Sequence, residues 1–373
     1  MKKASPALTA VPCLCLIFAV ATSAQQPTPK FTTFDAPGAG TGYDQGTEAR
    51  SINMVGNIAG WYQDASGVYH GFVRDSSGAM TTFDALGAGI GSSQGTAGAS
   101  INAAGVVAGW YADANNSYHG LVRAADGSIT TFDALGAGIG AYQGTFAESI
   151  NAAGTVTGAY RDANSVNHGF VRAAGGALTT FDAPGTGTGG YEGTLALSIN
   201  AAGSIAGYYY DQSFVAHGLV RDSTGSIATF DAPGAGAGAG SGQGTFSEAI
   251  NAAGTIAGYY YDASDVPHGF VRTADGTVTT FDGPSSGTGA LQGTVAMGIN
   301  PAGFIVGYIY NPRNVGLGFV RGTNKGAIAT FRAPGAGTGG EQGTRPSGVN
   351  EAGAITGYYY DAGGASHGFL LTP

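Results

Sequence analysis

All six histidines of this 373-residue chain stand in one setting, His-Gly-Phe or His-Gly-Leu, at His70, His119, His168, His217, His268 and His367. Regularly spaced imidazoles invite a metal site, but the aspartates around them favour a structural reading. A strand-like stretch ends at Asp64, Asp113, Asp162, Asp211, Asp262 or Asp361 shortly before each histidine. A second aspartate, such as Asp182 or Asp35, closes a Thr-Phe-Asp element. In the one copy where histidine becomes Leu317, these two positions become Asn311 and Arg332. Joint loss implies that each histidine pairs with at least one aspartate, strand to strand. A buried carboxylate–imidazole pair satisfies both groups, and stripping one partner costs about 1–3 kcal/mol. No metal is expected.

Acid–base chemistry has one candidate position. Three residues before each repeated Ile/Val-Asn asparagine the chain places Arg50, Ala99, Glu148, Leu197, Glu248, Met297 and Ser347, between mostly small neighbours. If this stretch is innermost, Glu148, Glu248 and Arg50 are the charges nearest the axis. Two carboxylates there can serve as general acid and base, or can simply be solvated charge. Aromatic residues offer a second chemistry. Trp61, Trp110, Tyr209, Tyr260 and Tyr359 mark aromatic-rich strand ends, suited either to packing between units or to stacking against sugar rings. Residues 301–345 carry a net charge of +4 and include Arg313 and Arg332. That patch would receive an anionic sugar or a protein partner, or it is drift in one copy.

The glycine-rich segments Pro37–Gly42, each followed by Gln-Gly-Thr as at Gln45–Thr47, mimic a dinucleotide fingerprint. That chemistry needs a single glycine loop running from a strand into a helix. Here the loop recurs in every unit and leads into a strand, so no cofactor is expected.

These residues are positioned by a repeat. The Ile/Val-Asn asparagines are Asn53, Asn102, Asn151, Asn200, Asn251, Asn300 and Asn350, at intervals of 49, 49, 49, 51, 49 and 50. Residues 148–182 show the unit: strands at 148–150, 155–160, 168–172 and 177–181, joined by turns whose Asn and Gly supply positive φ. No stretch has a capped 3.6-residue apolar period, so helix is not expected. The pattern predicts an all-β, seven-bladed β-propeller with four antiparallel strands per blade. A stacked solenoid is the rival. The isolated strand at 31–35 and the missing fourth strand after 367–371 favour a ring in which the N-terminal strand completes the last blade, removing an exposed edge.

The unit resembles the HAF family of bacterial extracellular repeat proteins. The matching residues are, for instance, Ile250-Asn251-Ala252-Ala253-Gly254, Ile256-Ala257-Gly258-Tyr259 and His268-Gly269-Phe270. The resemblance covers nearly all of residues 31–371. It departs in having Gly for the central Ala of the last triplet, and Arg272 where an aromatic is usual. It implies export and architecture but transfers no catalytic residue.

Composition agrees with that outline. There are 68 glycines, 10 % charged residues and 43 % hydrophobic residues, which excludes a disordered chain. Residues 1–24 read as a signal peptide: Lys2 and Lys3, an apolar run over 13–20, then the small residues of 21–24. Both cysteines fall inside it, so no disulfide is expected. Residues 25–30 are a short linker and 31–373 a single propeller domain. Loss of the leader moves the formal charge from −9 to −11, which argues against nucleic acid. The mature chain has no apolar run long enough to span a membrane. The expectation is a secreted monomer, extracellular or periplasmic, that binds an extracellular polysaccharide or a protein surface. An enzyme of the polysaccharide lyase or hydrolase kind and a purely structural surface protein are the alternatives.

Overall fold

The computed structural model describes residues 29–323 and 326–373. The signal-peptide reading of 1–24, most of the linker and Lys325 lie outside the described residues. Among those described, every regular element is a strand, and there are 28 of them. The first unit shows the pattern: β1 (Lys30–Phe34), β2 (Gly46–Ile52), β3 (Ile58–Gln63), β4 (Tyr69–Arg74) and β5 (Met80–Phe83). β2, β3, β4 and β5 pair as antiparallel neighbours, and the pattern recurs along the chain. β1 pairs antiparallel with the last strand, Ser366–Thr372, from Lys30↔Thr372 to Phe34↔Gly368.

The fold is all-β, propeller-like and nearly closed, with roughly seven groups of four strands. The expectation of a seven-bladed β-propeller with four antiparallel strands per blade, closed by the N-terminal strand, is corrected: all 28 strands belong to one sheet. Parallel pairings join the start of an innermost strand to the third strand of the unit before it, as in Gly95↔Tyr69, Gly144↔Tyr118 and Gly46↔Ser366. These contacts explain the repeated Gln-Gly-Thr. Gly95 adopts φ +111°, and a Cβ there would run into the Tyr69 carbonyl oxygen. Glycine alone allows this approach. The threonine that follows is fully buried, and its hydroxyl accepts the Ala36 N–H at 2.9 Å in the case of Thr47. The innermost strand therefore starts at Gly144 in the third unit, not near Glu148, because Gly-Thr belongs to the sheet rather than to the crossover.

The Ile/Val-Asn asparagines do not supply positive φ; glycines such as Gly56 (φ +88°) do. Each asparagine works through its side chain. Asn151 Oδ1 accepts the N–H groups of Ala153 and Thr155 at 3.1 and 3.0 Å, holding the turn. Its Nδ2 donates to the Asn200 carbonyl at 3.2 Å. The same donation passes from each unit to the next at 3.0–3.2 Å, and Asn350 returns it to Asn53.

Apolar cores lie between adjoining units. One cluster joins Ala59 of the first unit to Phe83, Ile101, Val107, Tyr111 and Leu121. The departures from the HAF pattern fit this packing. Gly71 of His-Gly-Phe lies against the Phe83 ring, where a Cβ would clash. The arginine that ends the third strand lies over the fourth-strand phenylalanine of the preceding unit. The separation is 4.7–5.2 Å in six cases, Arg272 over Phe230 among them. Cation and ring thus do between units what an aromatic pair would do.

Candidate functional site

Each innermost strand loses register with its neighbour at one residue. In β2 the break falls between Ala49 and Ser51, leaving Arg50 unpaired. The other six breaks isolate Ala99, Glu148, Leu197, Glu248, Met297 and Ser347. A β-bulge bends its strand and re-aims the extra side chain. All seven line one cavity of about 430 Å³, a basin whose wall is completed by Trp61, Trp110, Tyr118 and Phe146. A position that varies freely between repeats is the one the bulge turns toward this shared space.

The basin has aromatic surface on one side. Trp110 stands 6.2 Å from Trp61 and 5.2 Å from Tyr118, and Tyr118 stands 4.4 Å from Phe146. Arg50 is the hub of its charge. Its guanidinium lies 4.6 Å over Trp61, and Nη1 is 3.6 Å from the Glu48 carboxylate. Loss of water raises Glu248 to about 7, with Arg50 pulling it down and Glu148 pushing it up. Burial likewise raises Glu148 and Glu48, and Arg50 opposes the rise in both. Three carboxylates thus share the Arg50 cation, and Arg345 adds to it at Glu48.

Other candidates lie elsewhere. Tyr209, Tyr260 and Tyr359 do not reach the basin; each is 7 % exposed and packed in a core between units. Side chains alternate along a strand, so their neighbours Tyr208, Tyr210, Tyr259 and Tyr261 take the opposite face and enclose Phe246 at 4.9–6.3 Å. Arg332 is tied down: its Nη2 donates to the carbonyls of Ala336, at 2.7 Å, and Gly337. Arg313 is exposed on the turn after the second strand, where its N–H donates to Asn311 Oδ1 at 2.8 Å. Neither arginine lines the basin.

The histidines form a second, repeated arrangement. In six units Nδ1 lies 2.8–3.0 Å from the fourth-strand aspartate: Asp84, Asp133, Asp182, Asp231, Asp282 or Asp35. Nε2 lies 3.5–3.8 Å from the second-strand aspartate: Asp64, Asp113, Asp162, Asp211, Asp262 or Asp361. The ring stacks on the preceding strand's buried tyrosine, with centroids 4.7–5.1 Å apart. The expectation of a buried pair is corrected, since Asp84 keeps 52 % of its side chain in water. The second-strand aspartate has another task. Asp64 Oδ1 accepts the N–H groups of Ser66 and Val68 at 2.8 and 2.9 Å, which hold its carboxyl low against the upward push of partial burial. Asn311 makes the same turn, to Arg313 and Val315, with no histidine to face. Among the described residues no group of three or more His, Cys, Asp or Glu is arranged to hold a metal ion.

No protein-family model matches the chain, and no curated protein matches it either. Solved structures do. The chain is similar to AofleA from Arthrobotrys oligospora, with 15 % identity over 82 % of this chain and 90 % of that one, at a TM-score of 0.47. It is similar to the fucose-recognising lectin of Aleuria aurantia, with 15 % identity over 76 % and 93 % and a TM-score of 0.37. TolB from Acinetobacter baumannii matches at 12 % identity over 86 % and 64 %, with a TM-score of 0.43. The Aleuria lectin is a six-bladed β-propeller.

Sequence reasoning named the bulge position but missed Glu48, Tyr118 and Phe146. Their signal was available. Counted from the Gly-Thr start of the innermost strand, Glu48 occupies the place of Ala97, Phe146, Leu195, Phe246, Val295 and Arg345, a second position as variable as the first.

Proposed function

We propose that this chain is a secreted, non-enzymatic binding protein of HAF type whose axial basin holds an extracellular polysaccharide. The observation that carries the reading is the basin: seven bulges aim seven non-identical side chains into one cavity walled by Trp61, Trp110, Tyr118 and Phe146. Flat aromatic faces beside hydrogen-bonding carboxylates suit sugar rings, which pair an apolar face with a rim of hydroxyls. The test is a glycan array with the wild type, Trp110→Ala and Glu148→Gln. Binding that disappears with Trp110→Ala while the fold persists supports the reading; binding that ignores Trp110 removes it.

One observation favours a second reading. Glu248 is pushed up to about 7 and Glu148 is raised in the same basin, and a pair of carboxylates at one site is the means of glycosidic cleavage. Turnover of any bound polymer, abolished by both Glu148→Gln and Glu248→Gln, would establish that enzyme. Retained binding without turnover leaves the binding protein.

A further inference from the structure

The basin is not isolated. Trp61, on its wall, also bounds a second cavity of about 360 Å³ lying over the first unit. That cavity presents Asp44, Glu48, Gln63, Tyr69 and Ser93, and its far side is Tyr360. Asp44 and Tyr360 in turn bound a third cavity of about 230 Å³ over the last unit. Singly, two of these spaces sit in the lower half of the usual ligand-pocket range of roughly 300–1,000 Å³ and the third lies below it. Together they make one trench with Trp61 and Tyr360 as successive dividers.

One wall of the trench differs between repeats. At the position of Glu48 the other units carry Ala97, Phe146, Leu195, Phe246, Val295 and Arg345, and the two phenylalanines are packed among aromatic neighbours. Phe146 packs on Tyr118 at 4.4 Å and beneath the Arg161 guanidinium at 5.2 Å. Phe246 is enclosed by four tyrosines. Glu48 instead lines the second cavity with a carboxylate. The crossover loop repeats the theme: Ser93 stands where the next two loops place Tyr142 and Tyr191, in the same left-handed conformation (φ +65°, +64° and +67°).

From this geometry we infer that the protein grips an unbranched oligosaccharide of several residues, anchored in the basin and extending over Trp61 toward Tyr360, and that the chain it selects bears no acid groups. Three spaces in a row suit a linear polymer better than one sugar. The trench walls carry Asp44, Glu48 and Glu341, with Arg345 as the cation at the far end. Added to Glu148 and Glu248 against Arg50, the lining is acidic, so it accepts hydroxyl or ammonium hydrogens and repels uronates.

This inference rests on sugar binding in the basin, and the test separates the two. Titrate the full chain with β-1,4-linked glucose, glucosamine and galacturonate oligomers of one to six residues, following tryptophan fluorescence. Affinity is expected to rise at least tenfold from dimer to hexamer for glucose or glucosamine oligomers, with galacturonate at least tenfold weaker than either at equal length. One variant blocks the trench with a residue that other crossover loops of this chain use in its place: Ser93→Tyr. It is expected to abolish the gain with length and leave dimer affinity within about twofold. Ser93 does not line the basin, so the variant leaves the Glu48–Arg50 contact in place. A length-independent affinity still lost in Trp110→Ala overturns the trench and keeps the basin. A preference for galacturonate overturns the acidic-lining selection. No binding by any oligomer at any length overturns both.

Discussion

The turn end of the molecule and the basin end use the same strands to opposite effect. At the turn end every unit carries the same asparagine, which closes its own turn and donates to the next unit, so seven identical side chains do one mechanical job. At the basin, three residues earlier on the same strand, the bulge presents Arg50, Ala99, Glu148, Leu197, Glu248, Met297 and Ser347 to one space. A repeat stabilises by sameness, because each interface must fit two neighbours. It recognises by difference, because identical side chains around an axis would leave a ligand no unique orientation. The contrast predicts that the asparagine position controls stability and the bulge position controls binding, though they lie within one turn of chain.

Breaking the contrast at the turn end should give the largest effect. Asn151 is 6 % exposed and makes three hydrogen bonds. Asn151→Ala leaves two N–H groups and the Asn200 carbonyl short of a partner, a loss of about 1–3 kcal/mol. Urea unfolding should show it as a lower midpoint. Glu148→Ala, at the bulge of the same strand, breaks no turn or unit-to-unit hydrogen bond and is expected to lower the midpoint less. If the glutamate variant were the more unstable, the division of labour would be wrong.

A smaller effect belongs to the histidines and depends on pH. The Asp231 hydrogen bond, with the charges of Asp231 and Asp211, raises His217 above 6.5 against the downward pull of partial burial. The folded state therefore holds the proton more tightly than the unfolded one. The contribution is complete below pH of about 6.5 and fades as pH climbs through the folded value. Water screens a half-exposed pair, so it amounts to ~1 kcal/mol or less. His217→Leu should cost most near pH 5.5 and almost nothing near pH 9, by urea unfolding at both. An equal cost at both pH values would mean that the imidazole acts by packing on Tyr209 alone.

The sequence made the strands, turns and unit length legible because each rests on local chemistry repeated many times. What it hid was set by contacts between units. The joining of all strands into one sheet depends on Gly95 and its counterparts approaching a carbonyl of the unit before, and a glycine looks the same in a loop as in a strand. The bulge was visible only as a variable residue between small ones; its aim into a shared basin follows from a register break that periodicity does not record. Tyr209 and Trp61 both sit in aromatic strand ends, yet one is core and the other lines the basin. A shift of one residue changes the face, and an aromatic run reads alike from either side. Glu48 was overlooked because the acids were sought at a single position, whereas it lines a cavity of its own from a second variable position.

The sixth unit offers the finest test, because there the repeat has already been broken. It carries Leu317 for histidine, Ile309 for the stacked tyrosine, and Asn311 and Arg332 for the two aspartates, and it meets Gly283 of the crossover before it where the other crossovers have alanine. These changes fit one another. Ile309 is fully buried with its side chain against Gly283, where a Cβ would clash, and Arg332 turns to the crossover carbonyls instead of a histidine. Leu317→His alone would meet an amide, a guanidinium and no stacking ring. It should therefore gain nothing, and repulsion from Arg332 should cost up to ~0.5 kcal/mol below pH 6. Adding Arg332→Asp should reverse the sign, and a double-mutant cycle should give a coupling of ~0.5–1 kcal/mol. A coupling of zero would show that histidine and fourth-strand aspartate are lost together by descent, not because each needs the other.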